Sequence, residues 1–398
     1  MKIMHIADEH WEQSKLDRCL ASSRFIEEQV AEIKPDLIVL AGDLQNRRQA
    51  LAETSAVNPM FEHIRQLASV APIATVYGNA EHDAPGSLDV LRNLRTVHPI
   101  YLTAGAESVG FVRIAGVSRF CDVAELAQYN PTDSTLLLHL FSYPTKARFL
   151  AGAEATSVDE SSRVLGDAIR KIFMGFGVLS QGVKCPVVFV GHLNVSGALL
   201  STGQTLISQD IMVSHHDLEL SGADYYALGH IHKAQAIAGR EHIRYAGSIY
   251  HTNFGEVEDK SFFSIVTGVE KDMPIFIDRY VIPSRPLSLH EAEWDPQSGW
   301  SDEQTENDWT GADLRIRVSV SKECASLITD EQIQGNYPGA ATYQIDRIVL
   351  PQERIRSSSI TKAATLAEKI AEWGRVTNQE IPEQVYVFAA DTERTVNQ

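Results

Sequence analysis

The sequence predicts an α/β fold, a sandwich of β-sheets flanked by helices and followed by a small C-terminal α/β domain. Two observations carry this. Short runs rich in Ile, Val and Leu alternate with helical periodicity through residues 1–283, and the rhythm breaks near 283–286 before a smaller unit resumes it. The first run, residues 2–7, leads to apolar positions Leu16, Leu20, Ile26, Val30 and Ile33 at helical spacing, with Ser14 as the expected cap and Pro35 as the breaker. Strand-like runs return at 36–41, 72–77, 136–140, 186–190 and 225–228. Runs at 111–117, 243–246, 262–266 and 275–282 have short links, which predicts partly antiparallel sheets. Residues 142–184 depart from this rhythm and read as an insertion or lid with one helix near 160–173. We therefore assign residues 1–283 to the larger domain and 284–398 to the smaller. In the smaller domain the polar, acidic stretch 291–313 reads as solvated chain. Strands are expected near 314–320 and 343–350, and a helix near 361–373 whose Leu366, Ile370 and Trp373 would form its core.

Composition narrows the class. With 44% apolar and 22% charged residues, the 398-residue chain can bury a sizeable core without covalent staples. Cys19, Cys121, Cys185 and Cys324 lie far apart without a CxxC spacing, which argues against a disulfide framework or a zinc-thiolate site and for a reducing compartment. No apolar stretch approaches the ~18 residues of a membrane span. The expectation is a cytoplasmic protein with no membrane partner. A net charge of −17 argues against a generic basic DNA-coating protein. It leaves a nuclease open, because bound dications can be the largest positive charges in a site.

The chemistry gathers at strand ends. Asp8 and His10 in IADEHW, Asp43 in VLAGDL, Asn79 in VYGNAEHD, His192 in VFVGHL, and His230 with His232 in ALGHIH each follow an apolar run directly. In α/β sheets the carboxyl ends of strands form the crevice where ligands bind, so these distant residues can converge. Carboxylates, imidazoles and one amide suit borderline-to-hard divalent ions such as Mn²⁺, with Mg²⁺ as the alternative. Asp43, at a turn opened by Gly42, is the natural carboxylate to bridge two ions about 3.5–4 Å apart. Two dications against two aspartates and a hydroxide leave a net positive charge facing an incoming phosphate.

The order DEH, GD, GN, GH, GHIH resembles the calcineurin-like metallophosphoesterases. Downstream, GHLNVSG, ADYYALGHIHKAQ and HIRYAGSIYHTNFGE are similar to the SbcD-type DNA nucleases over most of residues 1–283. The resemblance implies one ion on Asp8, His10, Asp43 and His232 and a second on Asp43, Asn79, His192 and His230. It also implies DNA phosphodiester cleavage, an SbcC-type ABC ATPase partner, a homodimer, and a capping, DNA-holding role for residues 284–398.

The third motif departs from that family, in which a histidine and then an acid follow the asparagine. Here Ala80 stands at the histidine's place, and the next imidazole is His82. Either Ala80 has replaced the histidine, leaving turnover lower by about 10²–10⁴, or a two-residue shift presents His82. The first is favoured because such a shift would normally re-aim an imidazole. Arg47 and Arg48 are candidate phosphate contacts, although paired loop arginines are more often merely solvated. His5 and His139, inside apolar runs, read as satisfied core residues. His215 and His216 read as a surface cap rather than ligands, and Trp11 as packing rather than a base-stacking platform. Two rival functions stand beside the nuclease: a small-molecule phosphodiesterase or phosphatase with the same centre, and a non-catalytic DNA-end-binding scaffold.

Overall fold

The computed structural model describes residues 1–46, 54–129, 134–145, 158–200, 211–256, 258–268, 270–302, 309–350 and 358–396. The chain forms two units. One comprises Met1–Leu289, Trp309–Leu314 and Gly339–Thr342; the other comprises His290–Asp308, Arg315–Pro338 and Tyr343–Gln398.

The first unit is built on two sheets. Parallel strands β1 (Lys2–Ile6), β2 (Leu37–Leu40), β3 (Ile73–Val76) and β4 (Ile100–Thr103) continue through antiparallel β14 (Ser261–Val266) and β15 (Phe276–Val281), in the order β15-β14-β1-β2-β3-β4. The other sheet runs β12-β13-β11-β8-β7-β5-β6, from β5 (Ala106–Ile114), β6 (Val117–Cys121), β7 (Ser134–Phe141), β8 (Val187–His192), β11 (Tyr225–Gly229), β12 (Gln235–Ile237) and β13 (Arg240–Tyr245). Its β7, β8, β11 and β13 are mutually parallel. Short β9 (Asn194–Val195) and β10 (Met212–Val213) pair separately.

Strand periodicity explains the layering, because alternate side chains point to opposite faces. Ile3, Leu37, Val39, Ala74 and Val76 share one buried cluster with Phe111, Leu138, Val188 and Val190 of the other sheet. Their neighbours Met4, Ile6, Ile38 and Leu40 instead pack with Ile26 and Val30 of α1 (Leu16–Ile33) and Met60 and Ile64 of α2 (Thr54–Val70). On the far side, Phe141, Phe189 and Tyr226 pack against Leu165, Ile169 and Phe173 of α3 (Val158–Gln181). This corrects one expectation: α3 carries an apolar face that closes the sandwich, so it is an outer core layer and not a lid. The expected cap of α1 also shifts, because Gln13–Lys15 forms a 3₁₀ turn and Lys15, not Ser14, occupies the N-cap.

His5 and His139 are satisfied core residues. His5 contacts the Tyr225 hydroxyl at 3.0 Å and the Leu228 carbonyl at 3.1 Å. His139 sits between Ser108 and Ser180 at 2.7 and 2.8 Å and stacks on Phe176.

The second unit carries most of a four-stranded sheet, β17-β16-β18-β19, from β16 (Leu287–Asp295), β17 (Gly299–Asp302), β18 (Asp313–Ser321) and β19 (Thr342–Leu350). The stretch expected to be solvated chain thus contains part of β16 and all of β17. Buried His290 and Ala292 alternate with exposed Glu291 and Glu293, a strand pattern disguised by acidic outward positions. Helices α5 (Asp330–Gln334), α6 (Ser358–Lys362), α7 (Leu366–Thr377) and α8 (Glu383–Val396) complete the unit. On α7, Leu366 and Ile370 are half-buried, whereas Trp373 is exposed and does not serve as the core residue expected of it.

Candidate metal centre

The carboxyl ends of β1, β2, β3, β8 and β11 converge; His192 is the last residue of β8, and the other four strands deliver their functional residues on the turns that follow. The first two turns are tied by backbone hydrogen bonds: Asp8 N–H donates to the Gly42 carbonyl at 3.1 Å and His10 N–H to the Asp43 carbonyl at 3.0 Å. Asp8, His10, Asp43 and His230 have positive φ of 52°, 46°, 52° and 106°. Left-handed conformations at non-glycine residues cost energy and cluster at functional sites. Gly42, at φ +83°, permits a close approach: a Cβ there would lie 2.6 Å from His192 Nδ1 and 2.9 Å from the Gly78 Cα.

Among the described residues three donor groups result, each with its atoms within 4.8 Å of one another: Asp8 with His10 and His232, Asp43 with His192 and His230, and His10 with Asp43 and His82. His10 Nε2 and His232 Nε2 face each other at 2.8 Å. His192 Nε2 lies 3.2 Å from Asp43 Oδ2 yet is buried without a hydrogen-bond partner. Buried polar atoms ordinarily find partners. Facing imidazole nitrogens and an orphaned one beside a carboxylate therefore fit cations, and these His/Asp clusters suit two divalent metal ions.

Outer contacts aim the donors. His192 Nδ1 bonds the Ala41 carbonyl at 2.7 Å, and His232 Nδ1 meets Glu256 Oε1 and Thr252 Oγ1, both at 2.9 Å. Each leaves Nε2 to point inward, as metal-binding histidines require. Asp8 accepts the His230 N–H at 2.9 and 3.1 Å. Burial raises Asp8 to about 6. Burial would also raise Asp43, but His192, His10 and His82 around it hold it well below the usual carboxylate range. Burial alone would lower His192, and the neighbouring Asp43 carboxylate instead lifts it to about 9. His230, buried among other imidazoles, falls to about 3.

Asn79 is less directly engaged than expected. Its backbone N–H donates to Asp43 Oδ1 at 2.6 Å, while its side-chain Oδ1 accepts from Glu81 N–H at 3.1 Å. His82 is aimed into the site, contrary to the expectation that a two-residue shift would turn an imidazole away. With His10, His232, Lys15, Asn46 and Thr252 it lines a cavity of 680 Å³. Ala80 carries a methyl group in place of an imidazole. Trp11 is buried and packs as expected. His215 and His216 begin α4 (His215–Glu219), capped by the Ser214 hydroxyl, and belong to none of the donor groups. Arg47 and Arg48 lie outside the described residues.

Sequence reasoning missed the support of Glu256 and Lys260. Glu256 accepts from Thr252 N–H at 3.0 Å, Asn253 Nδ2 at 2.8 Å and Lys260 Nζ at 2.6 Å, and both members of the pair are buried. The available signal was the HIRYAGSIYHTNFGE stretch, which closes on Glu256.

The calcineurin-like phosphoesterase family pattern matches residues 1–234. The SbcD subunit of the nuclease SbcCD from Escherichia coli (strain K12) is 38% identical over 82 residues, which are 21% of this chain and 20% of that protein. The match thus spans about a fifth of that relative's length. The SbcD subunit of the nuclease SbcCD from Staphylococcus epidermidis is 22% identical over 304 residues, 72% of this chain and 70% of that one. A solved dimetal phosphatase from Danio rerio aligns at a TM-score of 0.43 with 10% identity, over 71% of this chain and 98% of that chain. With the pattern covering more than half of its residues and the donors gathered at its strand ends, this chain belongs to the calcineurin-like phosphoesterase family of metal-dependent hydrolases.

Proposed function

We propose that the chain is a Mn²⁺-dependent DNA exonuclease and endonuclease subunit that hydrolyses phosphodiester bonds during DNA-end processing. In this reading it works in the cytoplasm as a homodimer with an SbcC-type ABC ATPase, and residues 284–398 cap and hold the DNA. The observation that carries the reading is the pair of donor groups, Asp8–His10–His232 and Asp43–His192–His230, at the ends of strands. Asp8, His10, Asp43 and His232 would hold one ion, and Asp43, Asn79, His192 and His230 the other. When bound, such ions acidify a water molecule and steady the phosphoryl oxygens. The SbcCD names of the relatives favour DNA over a small ester.

The chain's own residues orient the donors. Asp43 is fixed by the Asn79 N–H at 2.6 Å, and His232 by Glu256 at 2.9 Å. Position 80 lacks the imidazole that would donate a proton to the leaving oxygen or stabilise developing charge. Turnover is therefore expected to be about 10²–10⁴-fold below that of a chain with histidine there.

The deciding experiment compares this chain with its Ala80→His variant on linear duplex and single-stranded DNA, with Mn²⁺ and with EDTA. Cleavage gained by the variant and abolished by chelation supports the reading. Equal cleavage by both removes the role given to position 80. Hydrolysis of a chromogenic phosphate ester but never of DNA points to a small-molecule phosphodiesterase or phosphatase. DNA-end binding with no hydrolysis by either protein points to a non-catalytic scaffold.

A further inference from the structure

We infer that His82 is itself a metal ligand, joining His10 and Asp43 on the ion that Asp8 and His232 also face. The inference rests on the two-metal reading above and changes the donor set of one ion. The reason begins in the local chain. The carbonyl of Asn79 accepts from His82 N–H at 2.9 Å and from Asp83 N–H at 2.7 Å, so the chain curls back one turn beyond β3. Buried Asp83 locks that turn by accepting from Gly78 N–H at 2.9 Å and Gln45 N–H at 3.1 Å. Position 82 is thereby brought over Asp43.

The geometry is that of donors sharing an ion. His82 Nε2 lies 3.9 Å from Asp43 Oδ2, and His10 Nε2 lies 3.8 Å from the same oxygen. Donors each about 2.0–2.2 Å from one ion stand roughly 3–4 Å apart. The His82 ring meets the His10 ring edge-on at 4.7 Å, the same separation as between His10 and His232. The Nδ1 of His82 donates to the Asn46 carbonyl, which puts the proton on Nδ1 and leaves the Nε2 lone pair directed inward. A merely solvated imidazole needs no such backing. Meanwhile the Asn79 side-chain oxygen accepts from Glu81 N–H at 3.1 Å, which braces the turn that presents His82.

The test is Mn²⁺ binding by the full chain, followed by calorimetry and by the electron paramagnetic resonance of the free ion. His82→Ala and His82→Gln should each lower the affinity for one of two ions by at least about 10–100-fold, with the other ion unchanged. The Ala80→His variant should keep both affinities. Pulsed resonance on the unaltered chain should detect one imidazole nitrogen more at this ion than the His10 and His232 pair supplies, which needs no variant to fold. Two ions bound at unaltered affinity in both His82 variants, or no third nitrogen coupling, would overturn the inference and leave the two-metal reading intact. Fewer than two ions on the unaltered chain would instead defeat that reading first.

Discussion

Around His232 the centre is buttressed by side chains, whereas around His192 it is buttressed by backbone. His232 leans on Glu256, which is held by Thr252, Asn253 and the buried Lys260. His192 leans on the Ala41 carbonyl, at a turn where Gly42 and Gly78 come together too closely for any Cβ. A side-chain buttress can be retuned one residue at a time without moving the fold. A backbone buttress fails only when its turn is distorted, and then the turn's other work fails with it.

The largest effect should come from breaking the backbone half. Gly42→Ala forces a Cβ against His192 Nδ1 and a side chain into a left-handed conformation. A stability loss of about 2–4 kcal/mol is expected. Denaturant unfolding measures it, and an unchanged midpoint would mean that this turn is not the rigid support described. Next comes the side-chain half. Glu256→Gln keeps the shape but removes the charge opposite His232, and should weaken one ion about 10–100-fold while sparing the other. Calorimetric titration that shows both ions weakened equally would erase the distinction between the halves.

The smallest effect, within about one pH unit of 6.5, concerns the scaffold that both halves share. His5 and His139 are buried neutral, and burial lowers each from 6.5 to about 3. The unfolded chain therefore takes up protons below pH 6.5 that the folded chain refuses. Stability is complete above 6.5 and is lost as pH falls toward about 3. The slope is roughly 1.4 kcal/mol per pH unit for each histidine. His139→Gln should remove one such contribution from the acid limb of a stability–pH curve, and an unaltered limb would show that His139 is protonated in the fold.

The strand-end donors were legible because each follows an apolar run, and runs of that kind report a buried strand whatever surrounds them. Four features were not. The α2 helix hides behind Pro59, which sits within it and reads as a breaker. β17 and the end of β16 hide behind acidic outward positions, because alternation over a short polar stretch looks like solvated chain. Glu256 and Lys260 act through His232, which is 24 residues from the glutamate along the chain, and periodicity carries no information about such a pairing. The aim of His82 is a matter of one turn's hydrogen bonds, and spacing alone suggested the opposite.

The positive φ angles at Asp8, His10, Asp43 and His230 bear on when the site comes into being. Each such conformation costs roughly 1–3 kcal/mol on its own and persists only where the surroundings over-determine it. The surroundings here include a hydrogen bond from His230 to Asp8 across 222 residues of chain. Contacts so distant form late, because loop closure must come first. The ligand turns should thus acquire their native shape only with the strands that carry them, whose pairing of β1 with β14 is equally long-range, and an arriving ion meets a finished socket instead of organising one. Chelation would then empty the centre and leave the sandwich standing.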